Sequence, residues 1–550
     1  MPFQTDPRFY YLANFHRALG WLEERYDDLF DASERAFLRD FHGLPLEARA
    51  LLVRLIMRKG PHFRASKLDY PEIGCPRAAA APLLQAGWLD GGAALGLEEL
   101  FGLLRKDEIL ACFGARLSSR QLRKPELLAE LAEADAAPRP FADWCPQMDE
   151  PVYSLAIGAL IERLRLMFFG NLHQDWTEFV LTDLGILRYE TPPLTLESRG
   201  FASRAEIDAQ LFLQRCREAF ELGAGAEQLL PLIAAVDCAT AHLQRRRGRL
   251  LFHIGQQLER EADWESALRV YAASEHSAAR QRQVRVLERL ERHAEAYELA
   301  LQAEARPQDA AEAQLIERAL VRLRRQLGVA QPARSKAAPP ARIDLELTPV
   351  AGLSVEQCVQ LHLDRPEAPV HYVENTLICS LFGLLCWDVI FAPLPGAFFH
   401  PFHSGPADLN DSRFRERRAA LFDARLALLE NGAYADEIRR IHRAKQGLQS
   451  PFVYWELLDE PLLEQALACL PATHLKAWFG RLLDDLQANR AGMPDLIQFY
   501  PGEGRYRMIE VKGPGDRLQD NQKRWLAFCA EHGMPVEVCY VTWAGAGEAA

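Results

Sequence analysis

Between Gly492 and Val541 the pattern of apolar and polar positions changes period twice. A short apolar run headed by Asp495 and a second run closed by Glu510-Val511-Lys512 both read as strands, with Pro501 to Arg505 as the turn between them. The two-residue period of the second run puts Met508, Glu510 and Lys512 on one face and Ile509 and Val511 on the other. Gly513-Pro514-Gly515 then forces a turn. Leu518, Trp525, Leu526 and Cys529 fall at helical spacing in a segment ending near Glu531, and Val536 to Val541 alternates as a third strand. The predicted unit is strand, strand, helix, strand.

Upstream, a period near 3.6 dominates. Phe9 to Leu29, Ser33 to Phe41 and Leu46 to Arg58 predict helices, followed by Ala79 to Trp88 and Leu97 to Phe113. From Ala205 to Leu327, the stretches Leu250 to Glu261, Asp263 to Ser274, Glu288 to Leu301 and Ala310 to Leu327 read as helices that bury a shared core by stacking, as tetratricopeptide-like (TPR-like) repeats do. Gln331 to Pro340 reads as a linker. Leu377 to Trp387 is apolar on nearly every face and is expected to be a buried helix. The expected division is a helical domain at 1–75, a second helical region at 76–200, TPR-like helices at 201–330, a linker at 331–342 and a mixed α/β domain at 343–550.

A chain of 550 residues exceeds one ordinary domain, and 49% hydrophobic with 25% charged residues excludes a largely disordered protein. The net charge of −12 argues against a broad basic surface for indiscriminate DNA binding, yet leaves room for local basic patches. Eleven cysteines without a CxxC pair exclude zinc-finger and thioredoxin-like readings and fit a reducing cytosol. There is no phosphate-binding GxxxxGK[ST], dinucleotide GxGxxG or GxSxG elbow. Thr376 to Phe399 is broken by Asp388, Pro393 and Pro395, so no membrane span is expected. The start of the chain lacks a signal-peptide pattern, and a cytoplasmic location is expected, with the nucleoid if the source is bacterial.

The chemistry lies in the first two strands. Asp495 and Glu510 with Lys512 suit metal-assisted phosphodiester hydrolysis. The carboxylates would hold Mg²⁺ or Mn²⁺, and the lysine would orient water or neutralise charge on the phosphate. The alternative is a surface hairpin with ordinary charges, because PD followed by ExK recurs by chance. Gln522, one turn beyond the loop, is placed to face the metal or a phosphate. Glu374 precedes the apolar helix; a buried carboxylate there would need a partner such as a metal, whereas an exposed one would merely favour the helix dipole.

The PD…EVK pair followed by GPGDRLQDNQKRW resembles the VRR-NUC branch of the PD-(D/E)xK nucleases. His371 to Thr376 and Leu385 to Phe391 are similar to the Fanconi-associated nucleases, with the resemblance extending over about residues 345–545; some eukaryotic relatives carry a zinc finger that this chain lacks. The resemblance implies a multidomain, mainly α protein ending in an α/β nuclease domain. It implies a structure-specific endonuclease for 5′-flap and branched DNA, with 5′-to-3′ exonuclease activity, linked to interstrand crosslink repair. Position by position, it implies Asp495, Glu510 and Lys512 as catalytic groups, with Glu374 and the Val511 carbonyl as further ligands of two Mg²⁺ or Mn²⁺ ions. Asp516 and Arg517 match a motif needed for activity, while Gln487 and Asn521 replace basic groups that bind a 5′-phosphate in some members.

Basic residues beside Phe63 (Arg58, Lys59, Arg64 and Lys67), those of a SAP-like element (Arg105 and Lys106) and Arg490 are candidates for DNA contact; solvated loops or packed helices are the alternatives. The helical repeats offer a surface for protein partners. Two other functions compete: a Holliday-junction resolvase-like nuclease, and a non-catalytic helical-repeat scaffold that only grips DNA.

Overall fold

A five-stranded sheet in the C-terminal part of the chain forms because its strands alternate between two apolar faces. The computed structural model describes residues 6–134, 137–178, 187–332 and 340–544. In chain order the strands are β1 (Ala341–Leu347), β2 (Val370–Tyr372), β3 (Leu496–Tyr500), β4 (Arg505–Lys512) and β5 (Val536–Trp543), and their order across the sheet is β1-β5-β4-β3-β2. The β3–β4 hairpin is antiparallel, with Leu496 opposite Ile509, while β5 runs parallel to both β4 and β1. A parallel return requires a crossover, which the helix α1 (Asp520–Glu531) supplies between β4 and β5.

The two-residue period holds through the sheet. Ile497, Phe499, Met508 and Val538 join a large core with Trp525, Leu526 and the helices Leu377–Leu385 and Ala472–Asp484. Leu496, Ile509, Val511, Cys539 and Val541 join a second core on the opposite face, with Cys358 and Val359 from the helix Val355–Leu363. Burial on both faces fixes register, since a one-residue slip would turn Glu510 and Lys512 to the wrong side. The sequence pattern found β3, β4 and β5 but not β1, whose side chains are largely exposed and charged, or the three-residue β2. The helix expected soon after Gly515 begins at Asp520 instead. Most of the expected linker, residues 333–339, lies outside the described residues.

The chain divides into two compact units, one of Met1–Leu187 with Thr195–Ile207 and one of Arg188–Leu194 with Asp208–Ala550. In the first, Tyr10–Tyr26, Ala32–Gly43 and Leu46–Ile56 follow the expected helices closely. The stretch expected as one helix to Phe113 breaks into Leu97–Leu103 and Lys106–Phe113. The strand His62–Arg64 pairs antiparallel with Val152–Leu155.

In the second unit, Ala241–Arg260 and Trp264–Ala272 form a packed helical pair, and Ala310–Leu327 ends where expected, at Gly328 with φ +68°. The expected helix over Glu288 to Leu301 is instead two, Ala279–Arg289 and His293–Ala305; Glu291 between them has φ +57°. Arg245, Arg246, Arg247 and Arg249 lie within the helix Ala241–Arg260, and Arg245 pairs with Asp411 at 2.8 Å.

Candidate active site

Asp495 stands one residue before β3 and ties three segments together. Its carbonyl accepts the Val373 N–H at 2.9 Å, and its Oδ2 accepts the Val511 N–H at 2.7 Å. The carboxylate is thereby fixed against the peptide that separates Glu510 from Lys512. Glu510 is fully buried, Lys512 is 7% exposed, and Lys512 Nζ lies 2.7 Å from Glu510 Oε1. That contact is an ion pair without hydrogen-bond geometry, so among the described residues neither Glu510 oxygen has a hydrogen-bond partner.

The electrostatics follow from the crowding. Burial pushes Asp495 up to about 6; the Val511 N–H and Lys512 oppose this, and Glu374 and Glu356 add to it. Burial and then the neighbouring Asp495 push Glu510 up to about 7, against Lys512. Both shifts mark carboxyl groups for which the charged state is costly without a nearby cation. Glu356, on the helix Val355–Leu363, escaped sequence reading; only the fold brings this helix to the loop after β4, where a Cβ on Gly513 would meet Val355 at 3.2 Å.

Glu374 stands near the acids: the adjacent Val373 N–H donates to Asp495 O, and the Glu374 charge helps to raise both Asp495 and Glu510. Its setting differs from the expected buried first turn. It is exposed, in a turn before the helix Leu377–Leu385, so the desolvation argument made for it does not apply. Tyr372 OH donates to its Oε2 at 2.5 Å and Asn375 Nδ2 to its Oε1 at 3.1 Å. Among the described residues no three His, Cys, Asp or Glu side chains already stand in a metal-holding group. The orphaned buried oxygens of Glu510 beside Asp495 nevertheless fit a hard divalent cation, which prefers charged oxygen donors.

The supporting residues are employed locally. Asp516 Oδ2 accepts the Gly513 N–H at 3.0 Å and braces the loop after Lys512. Gln522 Oε1 accepts the Gln519 N–H at 2.8 Å, because the start of α1 has unpaired donors to satisfy. Arg517 is exposed.

The basic candidates separate by burial. Lys59, Lys67, Arg105 and Lys106 are exposed; Arg58 is exposed too, donating to Lys67 O and Tyr70 OH beside the buried ring of Phe63. Arg64 is corrected: it is 5% exposed and paired to Glu108 at 2.7 Å and Glu150 at 2.6 Å, so it cannot reach a phosphate without abandoning a buried network. Arg490 is half-buried; it donates to Pro451 O and lies 4.6 Å over the Phe452 ring.

Three family models match the chain: the VRR-NUC domain over residues 429–543, the FAN1, HTH domain over 9–90 and the Fanconi anemia-associated nuclease SAP domain over 94–144. The Fanconi-associated nuclease 1 homolog of Pseudomonas aeruginosa is 55% identical, over 97% of this chain and 96% of that protein. The Arabidopsis thaliana homolog is 26% identical, over 96% of this chain and 67% of that one. A crystal structure of paFAN1 bound to 2nt 5′flap DNA with gap superposes with a TM-score of 0.93 at 55% identity, covering 98% of this chain and 99% of that one.

Proposed function

That this chain belongs to the Fanconi-associated nuclease family, and is a divalent-metal-dependent DNA nuclease, is the premise from which we propose its substrate and catalytic groups. The substrate is branched DNA with a 5′ flap, cut endonucleolytically and then trimmed 5′ to 3′, as crosslink repair requires. The likeness to paFAN1 in complex with 5′-flap DNA supports the flap, and the buried carboxylate of Glu510 beside Asp495, which lacks a hydrogen-bond partner among the described residues, carries the chemistry.

Asp495, Glu510, Glu374 and the Val511 carbonyl would hold Mg²⁺ or Mn²⁺, two ions in the full site. When bound, the metal acidifies water and neutralises charge on the scissile phosphate. The residues prepare that chemistry. Asp495 is held by the Val511 N–H, so its remaining oxygen is directed without loss of freedom at the reaction. Lys512, paired to Glu510, supplies a positive charge that orients the attacking water and offsets negative charge developing on the phosphate. Asp516 and Arg517 shape the following loop, with Arg517 free to meet the DNA backbone.

We read 1–75, 76–200 and 201–330 as the DNA-gripping and TPR-like regions and 343–550 as the nuclease domain, acting in the cytoplasm. Among the described residues no helix is long and apolar enough to cross a membrane. Exposed Arg58, Lys59, Lys67, Arg105 and Lys106 are the phosphate contacts of the first unit. The test is cleavage of 5′-flap, 3′-flap and Holliday-junction DNA with Mg²⁺, Mn²⁺ or EDTA. Preferential metal-dependent cutting of the 5′ flap, abolished in Asp495→Ala and Glu510→Ala, is expected. Equal cutting of junctions would favour the resolvase reading, and DNA binding without cleavage the scaffold reading.

A further inference from the structure

The turn Val373-Glu374-Asn375 is fastened to the segment that carries Asp495 at two points. The Val373 N–H donates to Asp495 O at 2.9 Å, and Asn375 Oδ1 accepts the Met493 N–H at 3.0 Å. These contacts join residues about 120 apart in sequence. Asn375 adopts φ +57°, the left-handed region that asparagine tolerates better than most residues. From that position its amide has two functions, because Nδ2 donates to Glu374 Oε1 at 3.1 Å while Oδ1 holds Met493. The second Glu374 oxygen receives the Tyr372 hydroxyl at 2.5 Å.

An exposed glutamate ordinarily samples many rotamers, and ordering one costs side-chain entropy. Here both oxygens of an exposed glutamate are engaged, by residues on either side of it in sequence, and one of those residues also grips the loop leading to Asp495. We propose that Tyr372 and Asn375 are positioning residues that preset Glu374, and its spacing from Asp495, for the divalent cation. The proposal rests on the reading of Glu374 as a metal ligand. Partners of a ligating carboxylate fix its orientation, and their loss typically weakens metal affinity about 10–100-fold.

The test is Mn²⁺ binding to the full-length protein without DNA, followed by the electron paramagnetic resonance of free Mn²⁺, for wild type, Tyr372→Phe, Asn375→Gly and Glu374→Gln. Tyr372→Phe deletes one hydroxyl from a side chain that is 40% exposed, and Asn375→Gly keeps the left-handed backbone accessible, so both should fold. Each is expected to weaken Mn²⁺ binding about tenfold or more. In cleavage the Mn²⁺ concentration for half-maximal rate should rise by the same factor, with kcat at saturating Mn²⁺ restored to within about twofold. Wild-type Mn²⁺ affinity in both variants, alongside a weakened Glu374→Gln, overturns the positioning role alone. Wild-type affinity in Glu374→Gln overturns the ligand reading and this proposal with it.

Discussion

The Asp495 carboxylate accepts the Val511 N–H at 2.7 Å, so one acid of the candidate site is held by the residue that stands between the other acid and the lysine. The hairpin register makes this possible. Leu496 opposes Ile509, which places Asp495 across from Glu510 just before β3 begins, where the strand's own ladder does not yet satisfy the β4 backbone. The site is therefore built by strand pairing before any ligand binds.

Substituting Asp495→Asn or Glu510→Gln should lower 5′-flap cleavage by about 10³-fold or more, because each removes a charged oxygen donor from the cation. Glu510→Gln should at the same time stabilise the metal-free fold at pH 8 by about 1–2 kcal/mol, since burial costs the Glu510 charge more than its ion pair with Lys512 returns. The gain should vanish near pH 5.5, where Glu510 already holds a proton. Chemical denaturation in EDTA at the two pH values measures it; a loss of stability at pH 8 would contradict the buried-charge account.

Metal stabilisation should grow with pH. With folded-state values near 6 and 7, above the ordinary carboxyl range, Asp495 and Glu510 contribute stability below that range and lose it as pH rises through those values. The cation binds the ionised forms, so it reverses this loss and displaces protons. The rise in Tm caused by saturating Mn²⁺ should be larger at pH 8 than at pH 6, by differential scanning fluorimetry.

Arg64→Ala should destabilise the N-terminal unit by about 3–5 kcal/mol, because Glu108 and Glu150 lose a buried partner. Lys67→Ala should leave stability nearly unchanged and reduce the salt dependence of DNA binding, the signature of one phosphate contact. Thermal denaturation and binding titrations from 50 to 200 mM salt, as about the range over which such contacts weaken, separate the two.

Gly492→Ala should cost about 1–3 kcal/mol and impair cleavage further than its stability loss explains. Gly492 has φ +93°, and a Cβ there would meet Asn521 Cγ at 2.8 Å, forcing apart α1 and the loop that delivers Asp495. Comparing kcat with the folded fraction at 20 °C, as roughly ambient assay conditions, tests this prediction.

Local pattern determined much of this protein. The alternation through Met508 to Lys512 assigned side chains to faces, the helical period found Ala310–Leu327 to the residue, and PD…EVK located the acids and the amine. These features are legible because each is set by neighbours a few positions away. Tertiary structure decided what depends on distant partners: that β1 and β2 complete the sheet, that Arg64 is sequestered by Glu108 and Glu150, and that Arg490 stacks on Phe452. It also placed Glu374 in an exposed turn held by Tyr372 and Asn375, and brought Glu356 within electrostatic reach of Asp495. A charge in a sequence carries no record of whether its partner is water, a backbone amide or an opposite charge; only packing, by removing water and fixing distances, selects among them.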